Sequence, residues 1–438
     1  MPRLRTSLWI YPWDLLDEGP VNALRQARDL AGADAVNLAV TYHAGLFLLP
    51  HNPRRRLYAA EDGVVYFRAD PKWFGGGPQP TLSNLTDSVD PLAQTLAAAA
   101  TVDLGVRAWM VCCHNSRLAQ AQPNLAVQNA LGDRLPFGLC PLQPGVQQYL
   151  AGLIDALSVY PQLEAIELEA LYWQPAEHSW HHAKFGMPLD AQAWFLFGLC
   201  CCDACAAAAG VDRARLVRPI QDRLLAALNG ESLGPASREA LASISDEMAA
   251  LLEARVDGLT DLLARLVGRA NVPVRALVGS GLVEQPWTRG IDLAAWAHLA
   301  PSVTVNAYHG PGPRPKSSEC LGVSVAAVLG QLSQKFGRLR PVPKSGLSAE
   351  LLADDVRRTL SRFRAAAPQA HLVVGLNATY PTTLDEASLR AQTDAALEHG
   401  PVELSYYHYG LVGLDRLAWV GRAAAAARSA SHETVFSN

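Results

Sequence analysis

Short apolar runs alternate with segments of helical pattern along the whole chain of 438 residues. The runs are rich in Val, Leu, Ile and aromatic residues, and they have the length of buried strands. Strands that alternate with helices in this way are typical of a parallel sheet covered by crossover helices. Eight strands are predicted, over residues 6–11, 35–43, 106–113, 165–172, 274–278, 303–308, 371–377 and 402–409.

The turn after the first predicted strand distinguishes two arrangements of such a sheet. A doubly wound, nucleotide-binding sheet usually has a glycine-rich turn there, whereas a closed barrel does not need one. Here the turn reads Tyr11-Pro12-Trp13-Asp14 and contains no glycine. Because eight strand–helix units are spread over the whole chain, the sequence predicts an α/β fold, a single (β/α)8 TIM barrel domain over residues 1–438.

Two long connections are predicted to elaborate this barrel. The connection after the second strand has several prolines and glycines, which indicate irregular structure. The connection after the fourth strand, at about residues 174–270, is predicted to be a Cys- and His-rich loop followed by a helical insertion. The insertion offers a surface for a homo-oligomer. The predicted helices cover residues 20–31, 90–101, 145–158, 212–228, 237–269 and 414–428.

Charge and hydropathy exclude several classes of partner. The formal net charge is −4, and Arg54–Arg56 is the only tight basic cluster, so a nucleic-acid surface is not expected. No stretch approaches the ~20 apolar residues of a membrane span. The chain has eight cysteines, and four of them crowd into residues 200–205. Adjacent cysteines are a poor disulfide framework, so we expect a reducing, cytoplasmic location.

Aromatic and polar residues cluster where the predicted strands end. Barrel active sites form at these carboxyl ends. Aromatic rings can stack on the apolar face of a sugar, while Asn and His bond its hydroxyl groups. The pattern therefore predicts a small-molecule carbohydrate or glycoside as the substrate. The expected substrate-binding residues at the strand ends are Trp13, Tyr42, His43, His114, Asn115, Tyr172, Trp173, Asn306, Tyr308, His309, Asn377, Tyr380, His408 and Tyr409.

The fourth predicted strand contains two glutamates. In Ala-Ile-Glu167-Leu-Glu169, the period-2 alternation places both carboxylates on one face and the two apolar residues on the other. The apolar face is expected to pack against the helices, so both glutamates should point into the barrel. A charge there is costly unless it is paired or functional. Glu169, nearer the strand end, is the best catalytic candidate, and Glu167 is expected to support it one layer deeper.

Hydrolysis of a glycosidic bond normally needs a second carboxyl group. Glu284, which follows the fifth strand, and Asp14, which follows the first, are the two candidates. A separation of about 5–5.5 Å from Glu169 would indicate a retaining enzyme, and about 6.5–9.5 Å an inverting one. An exposed loop charge is the alternative interpretation of each.

A His-rich loop, residues 177–186, directly follows the fourth strand. His181, His182 and Lys184 are expected to lie over the site, where they would bind hydroxyl groups or transfer protons. Clustered histidines can also bind metal. A lid that contacts substrate is favoured over a catalytic metal, because no carboxylate stands at helical spacing with them.

The cysteine cluster contains the spacing C-x-C-x-x-C, at Cys200, Cys202 and Cys205. Three thiolates at this spacing can converge on one tetrahedral Zn²⁺, with a fourth ligand from another loop. Cys140, in the loop after the third strand, is the preferred fourth ligand, and Cys112 or Cys113 is the alternative. Four thiolates leave no open position, so the ion would be structural and no catalytic cofactor is expected. The alternative is that reduced cysteines pack as small apolar groups.

Over residues 137–205 these motifs resemble the barrel glycoside hydrolases, and in particular the zinc-containing bacterial β-galactosidases. The shared features are the Leu-Cys140-Pro segment, the Ala-Ile-Glu-Leu-Glu169 strand and the cysteine triplet after it. The resemblance implies that Glu169 is the general acid/base, or the nucleophile if the amylase-like arrangement applies instead. Those β-galactosidases carry their nucleophile on the seventh strand, where this chain has Asn377, so the chain departs from the family at that position.

Two other functions remain open from the sequence. One is a metal-dependent barrel hydrolase with a catalytic ion held by His43, His309 and His408. The His-x-His motif that usually opens such barrels is missing from the first strand, which reads Trp9-Ile-Tyr11. The other is a barrel that binds sugars without cleaving them.

Overall fold

A computed structural model describes residues 3–178, 184–307, 348–380 and 382–436. Eight parallel strands form one closed sheet, in which β1 pairs with both β2 and β8. The predicted (β/α)8 barrel is therefore confirmed. The strands are β1 (Arg5–Ile10), β2 (Ala35–Tyr42), β3 (Gly105–Val111), β4 (Ala165–Glu169), β5 (Val274–Gly279), β6 (Ser302–Asn306), β7 (Leu372–Asn377) and β8 (Glu403–Tyr407).

Helices surround the barrel and also fill the region after β4. Among the described residues they are α1 (Pro12–Glu18), α2 (Pro20–Asp29), α3 (Pro91–Val102), α4 (Ser116–Ala121), α5 (Pro144–Leu157), α6 (Ala191–Gly198), α7 (Asp203–Ala208), α8 (Arg213–Leu228), α9 (Arg238–Ala242), α10 (Asp246–Arg269), α11 (Ser280–Glu284), α12 (Leu293–Leu299), α13 (Ala349–Ala366), α14 (Glu386–Leu397) and α15 (Leu414–Phe436). None of these described helices is long and apolar enough to cross a membrane.

Two predicted boundaries differ from the structure for local reasons. The fourth strand ends at Glu169 rather than at residue 172, because Ala170 has a φ of 55° and turns the chain out of the sheet. The helix predicted over 237–269 is two helices, α9 and α10. Ser245 separates them and caps α10, since its side chain accepts a hydrogen bond from the backbone N–H of Met248 at 3.1 Å.

Alternation along the strands divides the apolar residues into two cores. In β1, Leu8 and Ile10 belong to the large core between the strands and the helices, whereas Trp9 belongs to a smaller cluster. In β3, Met110 and Trp109 divide in the same way. The smaller cluster fills the barrel interior with aromatic rings, because successive strand residues face opposite sides of the sheet.

Two antiparallel pairs of short strands lie outside the barrel wall. One joins Gly45–Leu48 to Leu57–Ala60, and the other joins Ala126–Gln128 to Arg134–Leu139. The first pair reaches the aromatic cluster through Phe47, whose ring centroid lies 5.1 Å from that of Tyr11. The connection after β2 therefore covers part of the aromatic interior.

The amino-terminal end of the barrel is closed by a buried ionic network. Glu403, at the start of β8, accepts hydrogen bonds from Ser7 at 2.6 Å and from Arg107 at 2.5 Å. Arg275 forms a second ion pair with the same carboxylate at 3.1 Å. Glu403 is 1% exposed, and despite this burial the two guanidinium groups lower its pKa to about 2.

This network predicts a pH-dependent contribution to stability. Because the pKa of Glu403 is lower in the folded than in the unfolded chain, its contribution should be present above the usual glutamate pKa of about 4.3. It should be lost as the pH falls toward about 2. Glu403→Gln should lower the free energy of unfolding at neutral pH by about 3–5 kcal/mol, since two arginines lose their buried partner.

Urea denaturation between pH 3 and 8 measures this effect. Glu386→Gln is the matched control, because Glu386 pairs with Arg422 at the exposed surface, where the loss of an ion pair has little effect on stability. Equal effects of the two substitutions would contradict the interpretation.

Candidate active site

Glu169 stands at the carboxyl end of β4, where it is half-buried. Its Oε2 accepts a hydrogen bond from the indole N–H of Trp109, which belongs to the adjacent strand β3. Burial raises the pKa of Glu169 to about 7, with a smaller contribution from the charge of Glu167, while the Trp109 bond acts against the rise. A carboxyl group with a pKa near neutrality can donate and accept protons at physiological pH.

Glu167 lies one layer deeper and is fully buried. Its two carboxylate oxygens accept hydrogen bonds from the indole of Trp9 at 3.0 Å and from the hydroxyl of Thr304 at 2.5 Å. Burial raises its pKa, although these two donors and the nearby arginines oppose the rise. Both oxygens are thus occupied by protein donors, and the geometry suits a residue that supports the layer above it.

Ala170 fixes the exit of the chain after Glu169. It is a non-glycine residue with a positive φ of 55°, a conformation that costs energy for an L-residue. Two backbone bonds hold it in place: Cys112 N donates to Glu169 O at 2.8 Å, and Cys113 N donates to Ala170 O at 3.0 Å. Strand β3 therefore positions both the backbone of Glu169 and, through Trp109, its carboxylate.

Three tyrosine hydroxyls meet near Glu169. Tyr11 Oη donates to Tyr42 Oη at 2.8 Å and lies 2.9 Å from Tyr407 Oη. Glu169 is close enough that its charge raises the pKa of Tyr42 and of Tyr407, after the larger effect of burial. All three hydroxyls therefore stay protonated at neutral pH and can bond neutral hydroxyl groups of a ligand.

Tyr11 is also the centre of the aromatic lining. Its ring stacks between Trp13, at a centroid distance of 4.3 Å, and His408, at 4.0 Å. Trp109 lies 5.6 Å away. Trp13 and His408 are almost completely buried behind Tyr11. These two predicted substrate-binding residues therefore support the ring of Tyr11 in this structure.

Three histidines form a row on the loops that follow β2, β3 and β4. The rings of His43 and His114 stack at 4.2 Å, and His178 meets His114 edge-on at 4.4 Å. Burial lowers the pKa of each histidine, to about 2 for His114 and to about 4 for His178, so the row is neutral at pH 7. His43 donates from Nδ1 to the carbonyl of Ala44 at 2.8 Å, which leaves its Nε2 as an acceptor.

The two predicted partners of Glu169 have different surroundings. Asp14 is fully buried in the first turn of α1, where its Oδ2 accepts a hydrogen bond from the backbone N–H of Tyr11 at 3.1 Å. Burial raises the pKa of Asp14 to about 8. Glu284 ends α11, and its carboxylate forms an ion pair with Arg362 of α13.

The remaining predicted residues are distributed as follows. Asn115 caps α4 by accepting a bond from the N–H of Leu118 at 2.9 Å, and Asn377 accepts bonds from the backbone and hydroxyl of Thr379 at 2.8 and 2.7 Å. Asn306, at the end of β6, has a buried Oδ1 with no hydrogen-bond partner among the described residues. This oxygen packs against Gly375 and is an unsatisfied acceptor within the described part of the chain.

Other predicted residues lie away from these contacts. Tyr409 donates to Glu18 at 2.7 Å in a buried position, and Trp173 is 1% exposed. Tyr380 and Lys184 are exposed. His181, His182, Tyr308 and His309 lie outside the described residues.

The sequence analysis did not select Trp9, Tyr11, Trp109, Tyr407 or His178. For two of these residues the sequence contains a signal: strand alternation places Trp9 and Trp109 on the inward face of their strands, as it places Glu167. Tyr407 was missed because its neighbour His408 was chosen, and a shift of one residue changes the face of a strand.

Four cysteines converge in the region between α5 and α7. Cys140 Sγ lies 3.5 Å from Cys205 Sγ and 3.8 Å from Cys202 Sγ, and all four sulfurs, with that of Cys200, lie within 4.8 Å of one another. Sulfurs around a tetrahedral zinc ion, with Zn–S bonds of about 2.3 Å, are about 3.8 Å apart. This buried cluster can hold a metal ion, and Cys140 lies within it beside the cysteines that follow β4.

The surroundings of the cluster also suit thiolates. The backbone N–H of Gln128 points to Cys200 Sγ and the side-chain amide of Gln143 points to Cys202 Sγ, each at 3.4 Å. Cys201 is excluded from the group, and its thiol faces the carbonyl of Leu199 at 3.8 Å. Among the described residues this is the one group of three or more His, Cys, Asp or Glu side chains placed to bind a common ion. His43 and His408 therefore have no third described ligand.

Comparisons with known proteins give matches of fold but not of sequence family. No protein-family model matches the chain, and no curated protein matches it either. The PgaB (BpsB) glycoside hydrolase domain from Bordetella bronchiseptica superposes with a TM-score of 0.52 at 15% identity, over 97% of this chain and 98% of that chain.

Two further solved structures are similar. The β-galactosidase from the psychrophilic Marinomonas ef1 has a TM-score of 0.55 at 11% identity, over 98% of this chain and 60% of that chain. The catalytic domain of the β-amylase from Paenibacillus polymyxa has a TM-score of 0.52 at 11% identity, over 94% of each chain. At these identities the likeness is one of fold, and the chain shares the (β/α)8 barrel of these glycoside hydrolases.

Proposed function

We propose that this protein is a glycoside hydrolase in which Glu169 is the general acid/base. The observation that supports this most directly is the environment of Glu169. It is a half-buried carboxyl group at the carboxyl end of a barrel strand, with a pKa of about 7 and with protonated tyrosines beside it. The fold shared with glycoside hydrolases agrees with the proposal.

The chemistry assigned to Glu169 follows from its contacts. At neutral pH a large fraction of Glu169 is protonated, so it can donate a proton to the oxygen of a leaving group. Once ionised, its carboxylate is stabilised by the indole N–H of Trp109. In this proposal the hydroxyls of Tyr11, Tyr42 and Tyr407 and the amide of Asn306 bond the hydroxyl groups of the sugar.

Of the two candidates for the second carboxyl group, we favour Asp14. Its Oδ2 is bonded to the backbone of Tyr11, and its charge raises the pKa of Tyr407, so it is linked to the tyrosines near Glu169. The carboxylate of Glu284 instead forms an ion pair with Arg362. To act as the base of an inverting enzyme or as the nucleophile of a retaining one, Asp14 must be ionised. Burial disfavours this ionised form in the absence of ligand.

Replacement of the proposed acid tests the assignment. Glu169→Gln should lower kcat by about 10²–10⁴, because the amide cannot transfer a proton, while sugar binding remains close to that of the wild type. A panel of aryl glycosides and oligosaccharides is assayed, with binding measured by calorimetry. Glu386→Gln, at the exposed surface, is the control and should keep full activity. Wild-type kcat in the Glu169→Gln variant would exclude this residue as the acid/base.

The pH dependence of kcat/KM gives a second prediction. With Glu169 (pKa about 7) acting protonated and Asp14 (pKa about 8) acting ionised, activity should pass through a maximum between these pKa values, and its alkaline limb should report the loss of the Glu169 proton. Trp109→Phe removes a donor to the carboxylate, so the pKa of Glu169 should rise and this limb should move to higher pH. Trp9→Phe is the matched control, because Trp9 bonds Glu167 and not Glu169. The limb of this variant should move less than that of Trp109→Phe. An unchanged limb in Trp109→Phe would contradict the assignment.

We also propose that the cysteine cluster binds a structural Zn²⁺ through Cys140, Cys200, Cys202 and Cys205. Four thiolates satisfy a tetrahedral ion and leave no position for substrate. The ion would link the loop after β3 to the insertion after β4. It would supply no chemistry to the reaction.

Substitution of single cysteines tests the metal centre. Cys140→Ser should reduce bound zinc from about one ion per chain to nearly none and should lower the Tm, because metal binding is coupled to folding. Elemental analysis and thermal denaturation measure both effects. Cys201→Ser is the control, since Cys201 is buried beside the cluster but outside it. A wild-type protein without metal, or equal effects of the two variants, would be evidence against the site.

A further inference from the structure

Arg255 is a buried cation without a buried acidic partner in its own contacts. It lies on α10, is 2% exposed, and makes one hydrogen bond, from Nη2 to the carbonyl of Thr288 at 3.1 Å. Its Nε and Nη1 have no hydrogen-bond partner in the described parts of the chain. A buried charge in this condition is strongly destabilising unless a further charge compensates it.

Two aromatic rings enclose the guanidinium group. Its carbon lies 4.1 Å from the ring centroid of Trp173 and 6.0 Å from that of Phe195. Such cation–π contacts stabilise the cation only modestly. This is less than the cost of removing a charge from water, so the rings alone do not account for an arginine at this position.

Packing places Arg255 in the neighbourhood of the cysteine cluster. Helix α10 packs against α7, which contains Cys205. Burial lowers the pKa of Arg255, as does the charge of Arg289, whereas negative charge on Cys205, Cys200 and Cys140 raises it. The cation and the thiolates are therefore close enough to act on each other within the protein interior.

The charge balance of a loaded cluster matches this placement. Four thiolates around one divalent ion carry a net charge of −2, and such a charge is costly to bury without a counter-ion. We propose that Arg255 is the internal counter-ion of the metal-loaded cysteine cluster, and that it joins this cluster to Trp173, four residues after Glu169. This inference rests on the proposed zinc ion, but not on the proposed hydrolase activity.

The loop after β5 completes the arrangement. Gly290 has a φ of +75°, and a Cβ at this position would lie 2.8 Å from the Trp173 ring and 2.9 Å from the carbonyl oxygen of Arg255. Only glycine allows this approach without strain. The loop thus presses Trp173 against the guanidinium group and excludes water from it. Arg255 accordingly has no access to solvent as an alternative partner.

A thermodynamic cycle tests the proposal. In the zinc-loaded protein, Arg255→Met should weaken metal affinity by about 10–100-fold, the usual effect of losing an outer-sphere partner, and should lower the Tm. In the metal-free protein the decrease in Tm should disappear or become an increase. There the ion and its four bound thiolates are absent as a complex, so Arg255→Met removes a buried cation whose proposed counter-charge is missing. Arg255→Lys keeps the charge and should retain most of the affinity.

Competition with a chromophoric chelator measures the affinity for Zn²⁺, and the thiolate-to-metal absorption of the Co²⁺-loaded protein reports whether the four-sulfur geometry is kept. Arg213→Met is the matched control. Arg213 lies next to the cluster, bonding the carbonyl of Cys201 at 2.7 Å, but it is partly exposed and pairs with Asp203. Its loss should leave the affinity within about twofold of the wild type.

The possible outcomes distinguish the two proposals. If the wild-type protein binds no metal, both the zinc site and the role of Arg255 are wrong. If it binds zinc and Arg255→Met binds it equally well, only the role of Arg255 is wrong. Should Arg255→Met fail to fold with zinc, Arg255→Lys and the metal-free comparison decide. A destabilisation of the metal-free Arg255→Met protein as large as that of the loaded one would show a packing role instead.

Discussion

Desolvation of carboxylates inside a closed barrel is the constraint on which the rest of this structure depends. Three glutamates project into the interior at successive depths, and the protein gives each of them different hydrogen-bond partners. Glu403 at the closed end is neutralised by arginines such as Arg107, which hold its pKa near 2. Glu167 in the middle is satisfied by neutral donors, and Glu169 at the open end has the indole of Trp109 and a pKa near 7. Stability is thus concentrated at one end and proton-transfer capacity at the other.

The side chains around these carboxylates differ in the same way: arginines pair with Glu403, whereas the neutral indole of Trp109 bonds Glu169. Near Glu169 most of the described polar groups are tyrosine hydroxyls and neutral histidines, which bond other neutral groups without adding charge; Arg289, whose charge acts on Tyr172 and His178, is the exception. Tyr11 links the hydroxyl groups to the aromatic lining. Its hydroxyl bonds those of Tyr42 and Tyr407, and its ring lies between those of Trp13 and His408. A site built this way favours a ligand rich in hydroxyl groups over a phosphate, for which arginine, lysine or a nest of backbone N–H groups would be needed.

The sequence was sufficient for the features that depend on periodicity and spacing. The eight strands follow from apolar runs, and the grouping of Cys200, Cys202 and Cys205 follows from ligand spacing. Cys140 joins them because it lies in the neighbouring loop after the third strand. Side-chain orientation at strand ends could not be predicted, because regular alternation stops there: Tyr407 bonds the hydroxyl of Tyr11, whereas His408 stacks on its ring. Asp14 was assigned to a loop, but Pro12 begins a helix that turns its carboxylate back onto the chain. Such turns depend on contacts distant in sequence.

The separation of the cysteines along the chain has a consequence for the lifetime of the protein. Cys140 and Cys205 are 65 residues apart, and the segment between them includes β4 and the start of the insertion. An ion that held both would act as a cross-link across this segment and would restrict the unfolded chain, as a disulfide does. It would do so without needing an oxidising compartment. Zinc-starved cells should then accumulate molecules that open locally around β4, so metal supply would control proteolytic turnover of this protein as well as its folding.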